Sequence, residues 1–106
     1  MSVDHVVVMT TVDSEAAART LAASAVEARL AACAQIVGPL TSVFRWEGEV
    51  RTDTEWRVEC KTAGDRAGAL EEFLNVRHTY DLPEVIVTPI VGGSPAYLSW
   101  LVEETR

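Results

Sequence analysis

Residues 32 to 62 read as one long β-hairpin, and a chain with two ordinary helices cannot cover such a ribbon. Val43-Phe44-Arg45-Trp46 leads into Glu47-Gly48-Glu49, and the chain returns with Trp56, Val58 and Cys60 alternating against Glu55, Arg57 and Glu59. Alternation at every second residue marks a strand with two unlike faces. Gly48 supplies a positive φ for the turn. Gly38-Pro39 predicts a bend or bulge in the first arm, because proline cannot donate to a ladder. Arms of about a dozen residues exceed the roughly five or six of an ordinary strand. A bare ribbon carrying Phe44, Trp46 and Trp56 would template edge-to-edge association, so it calls for another subunit.

The rest of the chain supplies the sandwich that this ribbon belongs to. Val6-Val7-Val8-Met9 is a short apolar run suited to a central strand. Asp13 or Ser14 offers an N-cap, with Glu15 in the first turn, and Ala18, Leu21, Ala22, Ala25, Val26 and Leu30 share one helical face. A second helix starts near Asp65, with Leu70, Phe73, Leu74 and Arg77 on one face. Glu84 to Val91 reads as a fourth strand, and its internal Pro89 puts it at an edge or a bulge. Ser94-Pro95 opens a short last helix with Tyr97, Leu98, Leu101 and Val102 inward. The order β-α-β-β-α-β plus a terminal helix is an α+β, ferredoxin-like sandwich, a single domain over 1–106.

Composition narrows the function. Sixteen acids against nine bases give a net charge of −7, which disfavours nucleic acid, where affinity comes from neutralising phosphates. No run of about eighteen apolar residues crosses a membrane. Met1-Ser2-Val3-Asp4-His5 has neither a basic region nor a long apolar one, so no signal peptide and a cytoplasmic location are expected. Cys33 and Cys60 read as free thiols in that compartment, with a disulfide open to them only if the hairpin register sets them opposite each other. No G-x-S-x-G, HExxH or phosphate-cradling glycine loop is present, and Thr10-Thr11-Val12-Asp13 lacks the glycine or arginine of an anion cradle. A non-enzymatic protein is expected.

Five segments then occur together: Ala28-Arg29-Leu30-Ala31-Ala32-Cys33, Trp46-Glu47-Gly48, Lys61-Thr62, His78-Thr79-Tyr80 followed by Pro83-Glu84, and Tyr97-Leu98-Ser99-Trp100. In order and spacing the chain resembles the CutA (divalent-cation tolerance) family, from about residue 5 to residue 103. The resemblance implies a homotrimer built by pairing long hairpins between neighbours, and a role in the response to divalent metal ions, copper foremost. It also implies an architecture similar to PII signalling proteins, so the alternative is a regulatory trimer that senses a small ligand or protein partner at subunit clefts. Some family members place a cysteine where this chain has Thr10 and a histidine where it has Arg77. Those positions, with the equivalent of His78, are the ones tied to copper, and only His78 remains here. Thr79 stands where the family usually has proline.

The candidate residues follow. His78, Tyr80, Asp81 and Glu84 put an imidazole, a phenol and two carboxylates into one loop, and His78, Asp81 and Glu84 are of the types that hold copper or zinc. No cofactor is obligatory; Cu(II) or another divalent cation is the candidate. The competing reading of His78 is a histidine at a helix C-terminus. Lys61 ends the third strand, where it meets an anion or Glu84 in a pocket between subunits, alongside His78, Tyr80 and Trp46, or else stands solvated. The tryptophans read as core or interface, and His5 as exposed.

Overall fold

A computed structural model describes residues 3–106. Met1 and Ser2, on which part of the signal-peptide reading falls, lie outside the described residues. The chain runs β1 (His5–Val12), α1 (Glu15–Glu27), β2 (Cys33–Trp46), β3 (Glu49–Ala63), a 3-10 turn (Gly64–Arg66), α2 (Ala67–Arg77), β4 (Val85–Pro89) and α3 (Pro95–Glu103). The strands form one antiparallel sheet in the order β2-β3-β1-β4. This is the ferredoxin-like arrangement.

Local chemistry explains the elements. Ser14 caps α1 by accepting from the Ala17 N–H at 3.0 Å, and Ser94 does the same for α3 from Tyr97, with Pro95 behind it. α1 ends with Arg29 at φ 60, a left-handed position that usually takes glycine. Its guanidinium offsets that strain by donating from Nε to the Arg106 carbonyl at 2.7 Å. The hairpin turn is the two-residue Glu47-Gly48, both at positive φ, which matches the twist of the arms. The arms are 14 and 15 residues long. At Gly38-Pro39 two residues of β2 oppose the single Trp56 of β3, the bulge that the proline predicted.

α1 and α2 cover one face of the sheet. Val6, Val8, Val12, Val58 and Cys60 meet Ala18, Leu21, Ala25, Leu70 and Leu74 there. α3 lies on the other face, where Leu101 is fully buried and the Tyr97 ring lies 6.0 Å from the Lys61 ammonium. Several expectations change. Val26 points outward, because α1 narrows its buried face to Ala18, Leu21, Ala22 and Ala25. α2 begins after a 3-10 turn, and Arg77 is exposed, stacked on Phe73 at 3.7 Å rather than turned inward. β4 is shorter than Glu84–Val91 and stands at the sheet edge, ending on Pro89. Tyr97 is 41% exposed rather than inward. His5 is half-buried as the first residue of β1.

Two threonines sit in this core with nothing to bond. The Oγ1 atoms of Thr10 and Thr62 are fully buried and have no hydrogen-bond partner among the described residues. A buried hydroxyl left unsatisfied costs about 1–3 kcal/mol. Thr62→Val keeps the shape opposite Val6 and removes the polar atom. Its melting temperature is expected to rise by about 4–8 °C, the shift for roughly 1 kcal/mol in a domain of this size. An unchanged or lower value in a thermal scan would show that the hydroxyl is satisfied in solution.

Candidate functional site

Past the bulge the hairpin outruns the sheet. β1 reaches only to Val12, opposite Trp56, so, among the described residues, 40–55 pair with no strand but their own partner arm. The register sets Leu40 opposite Glu55, Ser42 opposite Asp53, Phe44 opposite Arg51 and Trp46 opposite Glu49. Directly opposed residues share a face, and on that face Ser42, Phe44, Trp46, Arg51, Asp53 and Glu55 form one wall. The loop from Thr79 to Glu84 forms the facing wall, with Thr11 between them, and together they line an open cavity of about 700 Å³.

The loop is held by a chain of hydrogen bonds. Tyr80 N–H donates to His78 Nδ1 at 3.1 Å, which fixes that nitrogen as the acceptor. His78 Nε2 therefore carries the proton and donates to the Thr11 carbonyl at 2.7 Å. The His78 and Tyr80 rings lie 4.5 Å apart, and the Tyr80 hydroxyl donates to Glu55 Oε2 at 2.9 Å. Burial pushes the Tyr80 phenol up from its ordinary value, helped by the Glu55 hydrogen bond and by the charges of Glu55, Asp13 and Asp53. Glu55 itself is 8% exposed, an unusual burial for a carboxylate.

Of the residues expected to form a cleft, Trp46, Tyr80 and Glu84 line this cavity, as does Asp81, while His78 braces its loop from beside Thr11. Lys61 is elsewhere. It stands opposite Val7, four residues down β3 from the Arg57 that faces Thr11, or about 13 Å at a strand's rise. Its ammonium donates to Gln35 Oε1 at 2.7 Å, so within this subunit it stands apart from Glu84. Sequence reading also missed Phe44, Arg51, Asp53 and Glu55 as lining. Their signal was alternation counted back through the bulge, which shifts β2 from odd to even residues on this face.

The metal reading meets a donor set that does not fit. Both His78 nitrogens are engaged with backbone groups, so neither presents a free lone pair. Thr10 is buried in the core and Arg77 lies on Phe73. Among the described residues, no three His, Cys, Asp or Glu side chains converge on a point where a metal ion could sit. Cys33 faces Lys61 and Cys60 faces Ala34, so the two thiols point to opposite sides of the sheet and both are free.

Fold and ribbon together define a ferredoxin-like sandwich extended by an unpaired hairpin. Comparison with known proteins then gives the family. A family model described as CutA1 divalent ion tolerance protein matches residues 6–104. The chain is 46% identical over 99 residues to the divalent-cation tolerance protein CutA of Thermus thermophilus, covering 93% of this chain and 96% of that one. It is 45% identical over 105 residues to the chloroplastic protein CutA of Arabidopsis thaliana, covering 99% of this chain but only 58% of that longer protein. A solved Thermus thermophilus structure of divalent cation tolerance protein superposes with a TM-score of 0.92 at 45% identity, covering 96% of this chain and 99% of that one. The chain belongs to the CutA1 divalent ion tolerance family.

Proposed function

We propose that this protein acts in tolerance to divalent metal ions, copper foremost, as a cytoplasmic, non-enzymatic homotrimer. The observation that carries the assembly is the ribbon of residues 40–55, whose outer edges have no partner among the described residues. On its outer face Val43 and Val50 are 66% and 65% exposed. Unpaired edges bearing exposed apolar residues are a template for another chain, and head-to-tail pairing that closes into a ring satisfies every edge. The resemblance to the family favours a ring of three. Two free thiols suit a reducing compartment. The role in tolerance does not run through a three-ligand site within one subunit, since His78 is spent on holding its loop.

Light scattering at micromolar concentration tests the assembly, with an expected mass three times the 11.5 kDa of the chain. Val43→Glu together with Val50→Glu is expected to shift that mass toward one chain. A monomer in the unaltered protein would refute the assembly. Calorimetric titration of copper(II) into the trimer tests the metal role. Saturable binding that survives His78→Ala supports it, and no saturable heat moves the function to the second reading. That reading is a PII-like trimer sensing a small ligand, and the cavity beneath the ribbon favours it.

A further inference from the structure

We infer that the buried carboxylate of Glu55 is paired, in the assembled ring, with the ammonium of Lys61 from the neighbouring copy of this chain. The inference rests on the assembly proposed above and names a contact that only the assembly completes. Glu55, Arg57, Glu59 and Lys61 alternate along β3 and so share one face of the sheet, the face that carries α3. The middle two satisfy each other, with Arg57 Nε 3.3 Å from Glu59 Oε2. The outer two form no ion pair among the described residues. Glu55 is more than nine-tenths buried, and the Tyr80 hydroxyl occupies one of its oxygens only. Lys61 is half-buried and donates to the neutral Gln35 amide. A charge taken out of water without a counter-charge is costly, and each of these two supplies what the other lacks.

The two do not meet within one chain. Six residues of extended strand set them about 20 Å apart. A head-to-tail contact joins two different patches of the same surface, so each copy gives one patch to one neighbour and the other patch to the next. One lone acid and one lone base on the same face of every chain match that geometry, and the closed ring leaves neither over. The other bases fit less well. Arg45, Arg51 and Arg77 are exposed and keep their water, and Arg19, Arg29 and Arg106 hold carboxylates of their own chain. Arg66 belongs to the turn before α2, in the layer over the sheet's other face. Among the acids beside the ribbon, Asp53, Asp81 and Glu84 are exposed, so Glu55 is the one that needs a counter-charge.

A double-mutant cycle read by subunit dissociation tests the inference. Light scattering follows a dilution series, in enough urea to bring dissociation of the unaltered protein into range, and circular dichroism checks that each variant is folded. Glu55→Gln and Lys61→Gln are each expected to raise the dissociation concentration at least tenfold. The double variant is expected to dissociate no more readily than either single one. Sites about 20 Å apart in one chain act independently, so such coupling requires that they touch in the assembly. Exchanging the charges, Glu55→Lys with Lys61→Glu, is expected to recover at least tenfold over Glu55→Lys alone. Lys61→Gln lies outside the buried core and is decisive by itself: an unchanged dissociation concentration overturns the inference. Losses that multiply in the double variant, or coupling of Lys61→Gln to Glu84→Gln instead, also overturn it, and a mass of three chains in the unaltered protein then leaves the assembly standing. A single chain at micromolar concentration overturns both.

Discussion

As the pH rises from about 9 toward 11 the protein is expected to lose stability, at a rate approaching roughly 1 kcal/mol per pH unit, through Cys60 alone. Cys60 is fully buried on β3, opposite Val8 and Ala34. Burial first, and the Cys33 thiol second, push its pKa from the ordinary 9.0 up to about 12. Above pH 9 the unfolded chain releases that proton while the folded chain keeps it. The unfolded state then binds fewer protons, so unfolding becomes easier as pH rises. The contribution is intact below pH 9 and is gone once the pH has passed 12, a total of about 4 kcal/mol. Tyr80 and Tyr97, also pushed up, add to the same alkaline loss. Urea unfolding under reductant, at fixed protein concentration, should therefore compare the parent with Cys60→Ala. The variant begins less stable at neutral pH and follows a flatter curve above pH 9. Parallel curves would mean that Cys60 ionises as readily folded as unfolded.

That Cys60 is a core thiol was readable from its apolar neighbours, and so was most of the fold. Strand alternation, Ser14, Ser94-Pro95, Gly48 and Gly38-Pro39 are local signals, each acting within a few residues of its own position. The site was less legible because it depends on register. One extra residue at the bulge changes which of Val43 and Phe44 shares a sheet face with Arg51 and Glu55, and only the paired strands fix that count. Lys61 illustrates the same limit: its type and strand were evident, but its distance from His78 is a property of where β1 pairs. The fate of His78 depends on two backbone groups, one of them 67 residues away in sequence. No side-chain pattern announces such partners. The resemblance placed His78 among copper-linked positions, and the hydrogen bonds of its ring give it a different task.

Leu70→Ala is expected to cost about 2–5 kcal/mol, toward the upper end, because α2 has little besides packing to hold it. α1 has a side-chain cap at Ser14, whereas Arg66 at the start of α2 makes no capping hydrogen bond. At 11 residues α2 is also shorter than the roughly 12–15 at which an isolated helix becomes even marginal. What fixes it is the inward face, where Leu70 and Leu74 are fully buried against Val8 and Val58. Removing three carbons from Leu70 leaves a void that the strands, tied in their ladder, cannot close. Against a total stability of about 5–15 kcal/mol the loss is large. Val76→Ala, on the outer face of the same helix at 71% exposure, is the control and should stay within about 0.5 kcal/mol. Urea midpoints at constant m-value separate the two. A Leu70→Ala loss below about 1 kcal/mol would show that α2 contributes little to the folded state. The effect also reaches the site, since α2 runs directly into His78 and the loop that walls the cavity.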